Sequence, residues 1–293
     1  MTYSHPHEVH REIVAAFPTF LARCTRGHAA LDAAAERYDL PSYLLGLMNS
    51  AYLACGQRTV TERALRDSLP YATRSRLGAD HWAVLVERGL AKTDMAGWIL
   101  TDDGLAAVAE LYREVRREIS ARNASPARVT RVGHIFETIA HLTPATPRAL
   151  AIRELWRHGE PATKLDRVYR AIWELWIYRD ACFRAAWEHA GYTGPEVDVL
   201  TQIWEGATAI EDVVGRLEGR QIHQTVLDNL QALSERGDVH PDGDRLQLAD
   251  HARAKRNEIE ERTDAVYFVR WPIGEPLDSL NADFTALMDE LAS

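Results

Sequence analysis

The chain has 293 residues, is 46% hydrophobic and carries a formal net charge of −9. That fits a globular protein of about two domains and argues against one that coats DNA indiscriminately. No run of ~18 uncharged apolar residues occurs, so no membrane span is expected. The opening M-T-Y-S-H-P-H-E-V-H lacks the basic start and apolar stretch of a secretory signal.

Residues 8–37 carry Val9, Ile13, Ala16, Phe17, Phe20 and Leu21 at helical spacing, with Pro18 predicting a kink or two shorter helices. Asp39-Leu40-Pro41-Ser42 opens a helix through Leu44, Leu47, Met48 and Leu53 that Gly56 ends. Thr59 or Thr61 caps the next helix, and Pro70 closes it. A longer helix over about 73–88 stops at Gly89. Leu90–Lys92 and Trp98–Leu100 then form the arms of a hairpin turning at Met95-Ala96-Gly97. Thr101-Asp102-Asp103 caps a long helix through Leu105, Val108, Leu111, Val115 and Ile119.

From Asn123 to Thr163 the prolines Pro126, Pro144, Pro147 and Pro161 leave room for short helical pieces at 132–142 and 148–157, read as a connector. One long helix is predicted from Thr163 to His189. Further helices cover about 196–205, 208–218, 220–236, 249–268 and 277–291, with a hairpin around Pro241-Asp242-Gly243. The expected organisation is residues 1–122, a helical connector at 123–162, and 163–293. The chain reads as mainly α with two small β-hairpins.

A register repeats. L-V-E-R-G-L matches L-S-E-R-G-D, so that Leu85, Glu87, Arg88 and Gly89 answer Leu233, Glu235, Arg236 and Gly237. The same shift pairs Leu65 with Val213 and Leu69 with Leu217. The two copies differ in charge. Residues 40–92 hold seven Arg/Lys against four Asp/Glu, whereas residues 195–253 hold five against twelve. They cannot meet phosphate equally well.

The stretch L-V-E-R-G-L-A-K-T … G-W-I-L-T-D-D-G-L resembles the MarR-like winged-helix regulators, over about Thr59–Ser120. The resemblance implies a recognition helix at about Thr73–Glu87, a wing tip at Thr93–Gly97 and a capped helix leading back to a dimer interface. Members of that family are homodimers of one unit. Two units in one chain imply a tandem pseudo-dimer, for which further oligomerisation is not required. Glu258–Pro272, E-I-E-E-R-T-D-A-V-Y-F-V-R-W-P, is similar to a group of actinobacterial helical proteins of unassigned function that share an E-I-E-x-x-T-D ending.

Thr73, Arg74, Ser75 and Arg76 open the first recognition helix, where free backbone N–H groups suit phosphate and arginine forks suit guanine edges. Arg58, Arg63 and Lys92 flank it as backbone contacts. The alternative is a solvated helix start that only keeps the domain soluble. Arg220, His223, Gln224 and Asn229 correspond in the second copy, among acids that include Asp238, Asp242 and Asp244. On the long helix, Tyr169, Trp173, Trp176, Phe183 and Trp187 fall on neighbouring turns, with Arg179 among the arginines between them. Such a stripe serves either as a core or pseudo-dimer seam, or as a pocket for an aromatic or hydrophobic effector.

Three widely spaced cysteines without C-x-x-C, Cys24, Cys55 and Cys182, predict reduced thiols in a cytoplasmic protein. His5, His7 and His10 are expected on an unpacked end rather than around a metal. No cofactor is expected, and no G-x-S-x-G, H-E-x-x-H, P-loop or G-x-G-x-x-G supports an enzyme. The sequence points to a ligand-responsive transcriptional regulator that binds double-stranded DNA through its first unit. The alternatives are a winged-helix interaction module without DNA binding, and a small-molecule binder or enzyme using the aromatic, arginine-lined helix.

Overall fold

Polar caps and prolines set several helix starts in the computed structural model, which describes residues 7–55, 59–61, 63–65, 71, 79–157, 163–218, 220–242 and 245–292. Pro18 has no N–H to continue a helix. It separates α1 (Glu8–Ala15) from α2 (Phe17–Thr25) and sits in the first turn of α2, where no donor is needed. α3 (Ala29–Arg37) and α4 (Ser42–Cys55) follow. Thr61 acts as a cap, accepting from Ala64 N at 3.0 Å. The helix ends expected at Gly56 and Pro70 lie outside the described residues. Next come α5 (Ala79–Glu87), the strands β1 (Ala91–Asp94) and β2 (Gly97–Leu100), and α6 (Asp102–Ser120), capped by Thr101.

The connector's first helix is longer than its periodicity suggests. Ser125 and Pro126 open α7 (Pro126–Leu142), and α8 (Pro147–Arg157) begins on its proline. Both prolines are starts, since the ring presets the helical φ at the first position. α9 (Lys164–His189) is uninterrupted and begins with a capping box. Thr163 Oγ1 accepts from Asp166 N at 3.1 Å, while Asp166 Oδ2 accepts from Thr163 N at 2.7 Å. α10 (Gly194–Trp204) opens with the same device, made by Thr193 and Glu196. Then follow α11 (Ile210–Leu217), α12 (His223–Glu235), β3 (Val239–Asp242), β4 (Arg245–Leu248), α13 (Asp250–Tyr267) and α14 (Glu275–Ala292). The architecture is mainly α, with two separate two-stranded antiparallel sheets.

Two hydrophobic cores organise these elements. The first collects α1–α8, the β1–β2 hairpin, α9 as far as Cys182, the end of α13, and α14. Phe17, Phe136, Phe284 and Trp271 meet near its centre. The second core runs from Ala186 to Ile259 and gathers α10–α12, the β3–β4 hairpin and the start of α13. Packing therefore cuts across the segment boundaries expected at 122 and 163. Both connector helices belong to the first core, and α14 returns to it, tied by Arg131 to Asp283 at 2.7 Å and by Arg23 to the Met288 carbonyl at 2.6 Å. α9 and α13 each pass from one core to the other. No helix among the described residues is long and apolar enough to cross a membrane.

The register found in the sequence extends to backbone geometry. Under the one shift that carries Leu85 onto Leu233, Leu90 N→Leu85 O (2.9 Å) answers Asp238 N→Leu233 O (2.8 Å). Trp98 N→Val60 O (3.0 Å) answers Leu246 N→Thr208 O (2.8 Å). Gly89 and Gly237 end their helices at φ 73° and 74°, where a side chain is strained. The pairs Ala91↔Leu100 and Val239↔Leu248 stand in the same register. Each long helix start is fixed alike, by Thr101 N→Leu90 O at 3.1 Å and Ala249 N→Asp238 O at 3.0 Å.

Candidate functional site: a cleft between the cores

Of the residues expected to meet DNA, Arg58, Thr73, Arg74, Ser75 and Arg76 lie outside the described residues. Arg63 and Lys92 are exposed, Lys92 on β1 beside the wing tip at Met95, which is fully exposed. In the second copy Arg220 is turned to Asp198, 3.2 Å away, and Asn229 Nδ2 donates to the Thr225 carbonyl at 2.8 Å. Gln224 donates to Asp228 on its own helix.

A cleft of about 960 Å³ opens where α9 passes between the cores. Trp173, Trp176, Asp180 and Phe183 recur at three- and four-residue intervals, so one face of α9 looks into it. Arg179 joins them from an adjoining position. The opposite walls come from Arg11 and Val14 on α1, Arg148 on α8, Thr201 and Trp204 on α10, and Arg256 and Glu260 on α13. Two residues expected in the pocket are core instead. Tyr169 stacks on Trp156 with ring centroids 5.9 Å apart, and Trp187 is 4% exposed in the second core. The aromatic stripe is thus one face in three environments: first core, cleft, second core.

The polar groups of the cleft are paired across elements. Glu260 receives Arg179 at 2.9 Å and Arg256 at 2.7 Å, one on each oxygen. Burial pulls its pKa up, but the two guanidiniums outweigh that and hold it below the ordinary carboxylate value. Arg256 lies between two rings, 5.1 Å from Phe183 and 4.6 Å from Trp204, and its Nε donates to Thr201 Oγ1 at 3.0 Å. Arg11 reaches Asp264 from the first core. Asp264, Asp198 and Asp180 all have raised pKa values, chiefly because burial disfavours their charge.

Tyr71 is a site residue that the sequence does not single out. Its ring packs against the second core, although Val60 and Leu65 of the same segment belong to the first. The hydroxyl donates to Asp180 Oδ1 at 3.2 Å and accepts from Trp187 Nε1 at 3.4 Å. Burial raises its pKa well above that of free tyrosine. A lone tyrosine between a Pro-marked helix end and a polar stretch carries no periodic signal, so only three-dimensional packing reveals it. Glu260 and Asp264 did have a signal. They belong to the E-I-E-x-x-T-D segment, whose Ile259 and Thr263 are buried beside them, so that motif is the inward face of α13.

The cleft combines aromatic surface with a few fixed polar groups, the composition of a small-molecule site. Among the described residues no group of three His, Cys, Asp or Glu side chains converges to hold a metal. The three cysteines are free thiols, and burial raises each pKa. His10 is not on an unpacked end. It is 2% exposed, donates from Nε2 to the Pro272 carbonyl at 2.9 Å and packs on Phe268 and Trp271. No family model matches this chain, and no curated protein or solved structure matches it either.

Proposed function

We propose that the protein is a ligand-responsive transcriptional regulator made of two tandem MarR-like winged-helix units. The first unit binds double-stranded DNA, and the second serves mainly as its fixed partner. A small aromatic or hydrophobic effector occupies the cleft. The observation that carries this reading is Tyr71, whose ring packs against the second core and whose hydroxyl touches the cleft residue Asp180. Thr73 is two residues further along, and consecutive Cα atoms are ~3.8 Å apart. This closeness in sequence is what links the cleft to Thr73–Arg76 in the proposal. An effector that prefers one arrangement of the cleft shifts the population of DNA-competent molecules.

Charge supports the division of labour, since the first unit has an excess of bases and the second an excess of acids. The test is binding of random-sequence duplex as a function of salt. Replacing both Arg74 and Arg76 by Ala should flatten the slope of log K against log salt, by about 0.9 for each phosphate that is no longer neutralised. Where those arginines read bases, each removal costs about 1–3 kcal/mol. Unchanged binding in that double variant, with binding abolished by Arg220→Ala, reverses the assignment of the units. No binding by the wild type at low salt removes the DNA-binding reading.

A further inference from the structure

We propose that an apolar groove of the second repeated segment, lying against Leu230 and Leu246, binds a small planar bicyclic aromatic molecule that bears an N–H and no negative charge. The groove has a volume of about 330 Å³ and shares no residue with the cleft. This inference rests on the repeated register and not on the DNA-binding reading.

The shift that carries Leu85 onto Leu233 also carries Trp82 onto Leu230 and Trp98 onto Leu246. The strand pairing agrees, since Thr93↔Trp98 answers Pro241↔Leu246. In the first segment the two indoles stack, with ring centroids 5.1 Å apart and planes 12° from parallel, and Trp82 is fully buried. An aromatic pair thus bridges α5 and its hairpin. In the second segment the same two positions hold leucines, which are smaller and have no ring to stack. The groove opens beside them, between α12 and the β3–β4 hairpin, with Ile210 of α11 also on its wall. A flat bicyclic ring restores the aromatic filling that the first segment builds from its own side chains.

Leu227, Leu230, Gln231 and Ser234 recur at three- and four-residue intervals, so one face of α12 forms a wall. Leu227 and Ile210 are half-buried and Pro241 is exposed, so the apolar walls can be reached from solvent. The polar groups all come from α12, and Glu235 is the one charged group among the described walls. Its Oε1 accepts from Gln231 Nε2 at 2.8 Å, and an ionised carboxylate accepts further donors. That favours a ligand N–H or ammonium and repels a carboxylate. The chain neighbours of the walls, Glu211, Asp228 and Asp242, are exposed acids and add to the repulsion. They also argue for a small molecule over a protein, whose stable interface covers ~800 Å² per partner around a core depleted of charge. The volume sits at the lower end of the range of roughly 300–1,000 Å³ typical of small-molecule sites.

Amide chemical-shift mapping on the isotopically labelled full chain tests this, with indole, tryptamine and indole-3-acetate as probes. Indole should shift the amides of Leu227, Leu230 and Leu246. Tryptamine should bind more tightly than indole-3-acetate by roughly fivefold or more, the effect of an exposed ion pair in place of a repulsion. Glu235→Gln, at an exposed position, should narrow that gap. Leu230→Trp combined with Leu246→Trp rebuilds the pair of the first segment and should abolish the shifts. Circular dichroism separates a filled groove from an unfolded chain, and if the double variant does not fold, the wild-type shift map and Glu235→Gln decide. Four results each overturn the proposal: no binding of indole, shifts confined to the cleft residues Trp173, Trp176 and Arg256, indole-3-acetate binding as tightly as tryptamine, or undiminished binding in a folded double variant.

Discussion

Tyr71 ties its segment to α9 through one hydroxyl, which makes it an informative single residue to change. Tyr71→Phe keeps the ring and removes the bonds to Asp180 and Trp187. It should lower stability by about 0.5–1.5 kcal/mol, the usual net value of a hydrogen bond, and chemical denaturation measures it. A loss above ~3 kcal/mol means that the hydroxyl does more than these two bonds. Asp180, its partner, gives a pH signature. Burial raises its folded-state pKa above the ordinary 3.8, despite Arg148 and the Tyr71 hydroxyl. The native state thus holds the proton more tightly than the unfolded chain. The resulting stability is present below the unfolded value and is lost as pH rises through the folded one. The unfolding free energy of the wild type minus that of Asp180→Asn should fall as pH climbs from below 3.8, and then level off. A difference that stays flat across that range contradicts the raised pKa.

At the scale of elements, the hairpin of the first unit depends on a close approach that only glycine permits. A Cβ on Gly97 would stand 2.2 Å from the Val60 carbonyl oxygen. Gly97→Ala should push Val60 off the hairpin and cost about 1–3 kcal/mol, as overpacking does. Hydrogen exchange at Val60 and Trp98, which bond each other's backbone, would show where the strain goes. Elements with a strong local signal were legible in the sequence. The Leu85–Gly89 and Leu233–Gly237 register, the long helix from Thr163 and both hairpins come from periodicity, caps and turn glycines. Pro126 and Pro147 mislead because a proline reads as a breaker although it also opens helices. Within α9 the stripe from Tyr169 to Trp187 was visible, but not which rings line the cleft. Identical apolar residues on one face bury against whatever neighbour the tertiary fold supplies. The return of α14 to the first core is equally non-local and leaves no mark in the intervening residues.

Across the whole molecule, the described parts of the two repeated segments share a backbone register and the segments differ in charge, while α9 and α13 carry both cores on common helices. We propose that the cleft and the first unit are one device, linked through Tyr71 and Trp187. This link is tested most directly by tryptophan emission upon saturation with duplex DNA, compared between the wild type and Trp187→Phe. The chain holds eight tryptophans, and Trp187 is the one bonded to Tyr71. Wild-type emission should change, and the change should be largely missing in Trp187→Phe, although that variant still binds duplex. Saturable binding with no change in emission, or a change of equal size in both proteins, would contradict it.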